Sequence, residues 1–83
     1  MYIHITPSAN TSRSAIGIIN MLRKDIDVRE RTIMEVFVNG SNDWRVKIAY
    51  DDDAIGEIIK ARLELHRDSY SGYDVNDNGE WTL

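Results

Sequence analysis

A chain of 83 residues with no cysteine has room for one core, and it excludes a disulfide framework, a thiolate nucleophile and a cysteine-based zinc site. Its net charge of −4 disfavours general affinity for nucleic acid, which depends on Lys and Arg neutralising phosphates. The charge is also divided: residues 1–50 hold seven Lys/Arg against five Asp/Glu, whereas residues 51–83 hold three against nine, and a one-signed region of this kind steers encounters with basic surfaces.

Tyr2, Ile3, His4, Ile5 and Thr6 read as a short β-strand with Ile3 and Ile5 on one face and Tyr2 and His4 on the other. Pro7 ends it. The run Ser8-Ala9-Asn10-Thr11-Ser12 offers N-caps for a helix that carries Ala15, Ile18, Ile19 and Leu22 at helical spacing. Gly17 costs that helix about 1 kcal/mol relative to Ala, which points to a close helix-to-sheet contact at this position.

Residues 32–38 and 44–50 alternate with period two around Asn39-Gly40-Ser41-Asn42-Asp43, the pattern of a β-hairpin. Trp44, Val46, Ile48 and Tyr50 share one face of the second arm; Arg45, Lys47 and Ala49 share the other. Asp51, Asp52 and Asp53 then stand where free amides and the macrodipole favour carboxylates, at the start of a helix with Ile55, Ile58, Ile59 and Leu63. Residues 68–79 show no periodicity and read as a loop, after which Glu80-Trp81-Thr82-Leu83 offers a final short strand. The expectation is a single α+β domain over residues 1–83, with an antiparallel sheet of three or four strands and two helices on one face. The order is βαββα, or βαββαβ in the ferredoxin-like manner if the last strand forms.

Motifs for chemistry are sparse. Asp74-Val75-Asn76-Asp77-Asn78-Gly79 fits the first half of an EF-hand loop, but the chain ends before the position of the bidentate glutamate, and an Asx-turn accounts for the same residues. Asp51-Asp52-Asp53 suits Mg²⁺ by charge and helix capping by position, and capping is the simpler account. His4 and His66 have no nucleophile or titratable companion in the sequence, and no glycine-rich phosphate loop or hydrolase elbow is present. No enzyme, no metal and no cofactor are expected.

Two surfaces remain. If Ile3, Ile5, Val36, Val38, Val46 and Ile48 face the helices, the opposite sheet face shows Tyr2, His4, Phe37, Arg45 and Lys47, with Ile33 and Glu35 among them. Aromatic and basic groups on an open sheet suit single-stranded RNA or DNA, but with Glu35 in the middle of the face and no ribonucleoprotein signature, burial in a homodimer or partner interface is the favoured account. The C-terminal third sets Glu57, Glu64, Asp68, Asp74, Asp77 and Glu80 beside Tyr70, Tyr73 and Trp81, that is, carboxylates with aromatic anchors. The leading expectation is a non-enzymatic protein-binding domain that docks this region on a protein with a basic surface. Size and charge suggest a small acidic inhibitor of a nucleic-acid-binding host protein, by analogy with virus-borne anti-CRISPR and other anti-defence proteins; nucleic-acid binding on the open sheet is the rival reading. The apolar runs fall far short of the roughly 18 residues a membrane span needs, so no membrane partner and a cytoplasmic location are expected.

Overall fold

The computed structural model of the chain describes residues 1–79. Alternation builds the sheet as anticipated. Strand β1 (Tyr2–Pro7) buries Ile3, Ile5 and Pro7 and turns Tyr2, His4 and Thr6 to the other side. The hairpin arms are β2 (Ile33–Asn39) and β3 (Asp43–Ala49), paired without interruption from Ile33 opposite Ala49 to Asn39 opposite Asp43. Gly40 turns the chain with φ of +66°, a conformation that costs glycine no Cβ clash.

Two of the helices follow their caps. Helix α1 (Ser12–Leu22) begins where the Thr11 side chain accepts a hydrogen bond from the Ser14 amide at 3.1 Å. Its stripe of Ala15, Ile18, Met21 and Leu22 is buried on the sheet. Gly17 is exposed and has open space where a side chain would project, so the expected close contact does not occur there. The sequence predicts two helices; a third, α2 (Ile26–Arg31), stands between α1 and β2. Its six residues bury only Val28, too few to register as a period, and it is held by the Asp25 carboxylate, which accepts from the amides of Asp27 and Val28.

Helix α3 (Asp53–Leu65) starts on Asp52, whose carboxylate accepts from the Ala54 amide at 2.9 Å and lies 3.5 Å from the Arg31 guanidinium. The aspartate run therefore acts as a cap. The close helix contact sits in this helix instead, at Gly56: an added Cβ would lie 2.5 Å from the ring of buried Tyr50.

Residues 68–79, expected as a loop, instead contain a strand. A 3₁₀ turn at Arg67–Ser69 leads into β4 (Tyr70–Asn76), which pairs antiparallel with β1. The register is regular only from Gly72 to Asn76, because it shifts between Thr6 and Pro7 opposite the start of the strand. The residues proposed as a final strand, 80–83, lie outside those described. Among the described residues the sheet has four antiparallel strands in the order β2-β3-β1-β4, the ferredoxin-like arrangement of a βαββαβ chain with α2 inserted. Ile3, Ile5, Val46 and Ile48 meet Ile18, Leu22, Val28, Ile59 and Leu63 in one core on the helix side. Among the described residues the second face of the sheet carries no helix.

Candidate functional site

Strand β4 divides the expected C-terminal site between two faces. Tyr73 stands opposite Ile5 and Val75 opposite Ile3, so both lie on the helix side; Asp74 and Asn76 stand opposite His4 and Tyr2 on the open side. On the helix side Tyr70 and Tyr73 meet edge to face, with ring centroids 5.6 Å apart and planes at 70°. Tyr70 packs partly against the core, whereas Tyr73 remains 39% exposed.

The outward side of α3 completes this flank. Glu57 pairs with Lys60 at 2.9 Å and Glu64 pairs with Arg67 across the helix end. Partial burial, then the Glu64 carboxylate and then Tyr73, push the Tyr70 hydroxyl above the ordinary phenol range. The hydrogen bond to Glu57 and its charge raise Lys60, with a smaller effect from Tyr73. These mutual influences join Glu57, Glu64, Tyr70 and Tyr73 in one patch, with Asp68 in the 3₁₀ turn that links helix to strand. Lys60 and Arg67 were not anticipated as part of it, although spacings of three along a helix mark both pairs. They make the flank an array of alternating charge rather than a purely acidic surface.

The open sheet face gathers every residue of the rival reading. One cross-strand row runs Glu35, Lys47, His4, Asp74; a neighbouring row pairs Phe37 with Arg45; and Tyr2 lies between Ala49 and Asn76. The donors on this face are already engaged. The Lys47 ammonium, on a side chain only 13% exposed, donates to the Gly79 carbonyl at 2.9 Å, stands 5.7 Å from the centre of the Tyr2 ring and 3.9 Å from Glu35. His4 Nε2 lies 3.0 Å from the Asn78 carbonyl, an acceptor, so that nitrogen carries a proton. Arg45 donates to Asp43 at 2.9 Å and to Thr6.

Residues 77–79 thus cross the open face as a strap. Gly79 rests on Tyr2 so closely that an added Cβ would come within 2.7 Å of the ring. The strap holds two of the donors that a phosphate would need, and Glu35 and Asp74 close both ends of the row with negative charge. A depression of about 240 Å³ remains beside it, lined by His4, Thr6, Arg45, Gly72 and Asp74, below the roughly 300 Å³ at which small-molecule pockets begin.

The half EF-hand sequence is spent on the turn that launches this strap. Asp74 accepts from the Asn76 side chain, and Asn76 in turn accepts from the Asn78 amide, each at 2.9 Å. Asp77 is exposed in the strap, and Glu80 and Trp81 lie outside the described residues. Among the described residues, no three His, Asp or Glu side chains are grouped to hold a metal ion, and no helix is long and apolar enough to cross a membrane. Comparisons of the chain with models of protein families, with curated proteins and with solved structures find no match.

Proposed function

We propose that this chain is a non-enzymatic protein-binding domain that docks through the flank made by α3, the Arg67–Ser69 turn and β4. The observation that carries the reading is the Tyr70–Tyr73 edge-to-face pair at the border of the sheet, with Glu64 acting on Tyr70 and the Glu57–Lys60 pair reaching the flank through Lys60. Tyrosines held at a rim offer large apolar area at small entropic cost and are over-represented among the residues that dominate binding energy. The surrounding ion pairs are exposed, Glu57 at 73% and Glu64 at 61% of their side chains, and such pairs are worth only about 0–1 kcal/mol. An incoming Arg or Lys therefore displaces Lys60 or Arg67 at little cost and gains a charge-assisted hydrogen bond.

The partner that fits is a protein with basic side chains around an apolar notch. Where that surface is a nucleic-acid groove, docking blocks it, and the chain acts as an inhibitor. Affinity capture from host lysate with wild type, with Tyr73→Ala and with Glu64→Gln tests the reading, His4→Ala on the open face serving as control. The reading expects proteins held by wild type and by the control to be depleted about 30-fold with Tyr73→Ala, the effect of removing a contact worth about 2 kcal/mol. Equal recovery with all four proteins contradicts it.

A further inference from the structure

Strand β2 forms one edge of the sheet, and its chemistry differs from that of the other edge. At the far side, β4 is blunted by the register shift opposite Thr6 and Pro7, by Gly72 in mid-strand and by Asp74 and Asn76 on its open face, devices that discourage pairing with a further strand. Strand β2 lacks the register shift and the mid-strand glycine; like β4 it carries polar side chains, Glu35 and Asn39, on its open face. Its seven residues, Ile-Met-Glu-Val-Phe-Val-Asn, contain no Pro, Gly or Lys and keep an unbroken register with β3, leaving a straight row of outward amides and carbonyls.

Part of β2 is left exposed as well. Met34 packs against the core and Phe37 is half-buried, but Val36 and Val38, which also point to the helix side, are 37% and 41% exposed, and Ile33 on the open side is 67% exposed. The helix layer thus covers the strand at Met34 and leaves its two valines accessible.

We infer that β2 pairs antiparallel with β2 of a second copy of this chain, in a two-fold register centred on Val36, to give a continuous eight-stranded sheet. Backbone groups require a strand as occupant, and β2 is compatible with its own copy along its full length. Centring on Val36 engages all seven residues: Val36 meets Val36, Met34 meets Val38, Glu35 meets Phe37 and Ile33 meets Asn39 of the second copy. The lone carboxylate of the strand thus faces an aromatic ring, and no like charges stand opposite one another. Centring on Glu35 would oppose two carboxylates, and every other two-fold register leaves part of the strand unpaired. The symmetry is closed, so association stops at two. Each dimer then carries its two β4 flanks at opposite ends of the sheet.

The test uses the full chain, whose lack of cysteine makes any introduced thiol unique. Light scattering after size exclusion should give twice the chain mass at tens of micromolar and a concentration-dependent fall below that, while Val36→Lys, which opposes two ammonium groups on the two-fold axis, should give the monomer mass. Under mild oxidation Val36→Cys should cross-link to a dimer and Met34→Cys should not, because the latter thiols would sit four residues out of register. Circular dichroism verifies the fold of each variant. A monomeric wild type throughout that range overturns the inference, as does a dimer that survives Val36→Lys, or cross-linking as efficient at Met34→Cys as at Val36→Cys. Tyr73→Ala should leave the mass unchanged, which separates this interface from the flank proposed for docking.

Discussion

Gly56 lies closer to a neighbouring side chain than any other glycine among the described residues. A methyl group at Gly56 would meet the Tyr50 ring at 2.5 Å, and that residue is 7% exposed, so the ring must shift within a packed core. Gly56→Ala is expected to lower stability by about 1–3 kcal/mol, the usual cost of overpacking, and a urea titration measures it. In a Tyr50→Leu background most of that loss should vanish, because the clash partner is gone; full additivity of the two changes would show that the contact is not the cause. Tyr70 gives a second prediction at this scale. A group whose value is raised on folding stabilises the fold below its unfolded value and ceases to do so as pH rises through the folded one. Tyr70 is raised by burial and by Glu64, from an ordinary value of 10.0, and Lys60 is raised by Glu57, from 10.5. Both act with the same sign, so stability should fall as pH climbs from about 10 to 11. Urea midpoints across that range check this, and Tyr70→Phe should flatten the decline; an unchanged decline would assign it elsewhere.

Among the elements, α3 depends on one carboxylate of three. Asp52 alone accepts the Ala54 amide and faces Arg31, whereas Asp51 is exposed before the helix begins. Asp52→Ala should cost about 1 kcal/mol and Asp51→Ala less than about 0.5 kcal/mol, read from thermal or urea unfolding. Equal costs, or a rise in Tm on adding Mg²⁺, would favour an ion site over a cap. The elements legible in the sequence were those whose pattern is local: β1, the β2–β3 hairpin, α1 and α3 each show their own period over enough residues. Helix α2 was hidden because a six-residue helix with one buried side chain has no stripe. Strand β4 was hidden because its first residues pair across a register shift and its composition is that of a turn. The site suffered in proportion, since without β4 as a strand nothing in the sequence tells that Tyr73 and Asp74 point to opposite faces. The strap was out of reach for a different reason. His4 and Lys47 are tied to backbone carbonyls of Asn78 and Gly79, contacts that side-chain identity does not announce.

For the whole molecule, strand order decides which surfaces are free. The order β2-β3-β1-β4 puts β2 and the tyrosine-bearing flank at opposite borders, so the proposed self-association and the proposed docking would not compete. The open face between them is crossed by residues 77–79, which sit on the Lys47 and His4 donors and on the Tyr2 ring. The divided charge seen along the sequence is moderated on folding: Glu57, Glu64 and Asp52 each face a cation from within the chain. On the proposed reading, recognition therefore rests on the tyrosine pair, with charge setting orientation and encounter rate.

The measurement that bears most directly on docking through the α3–β4 flank is site-specific photo-crosslinking in host lysate, with a benzophenone amino acid placed at Tyr73 and, in a separate protein, at Phe37 on the open face. The account predicts one dominant adduct with a host protein from position 73, suppressed by Glu64→Gln in the same chain, and no host-protein adduct from position 37, where a second copy of the chain is the expected neighbour. A host-protein adduct formed from position 37 and not from 73 would contradict it.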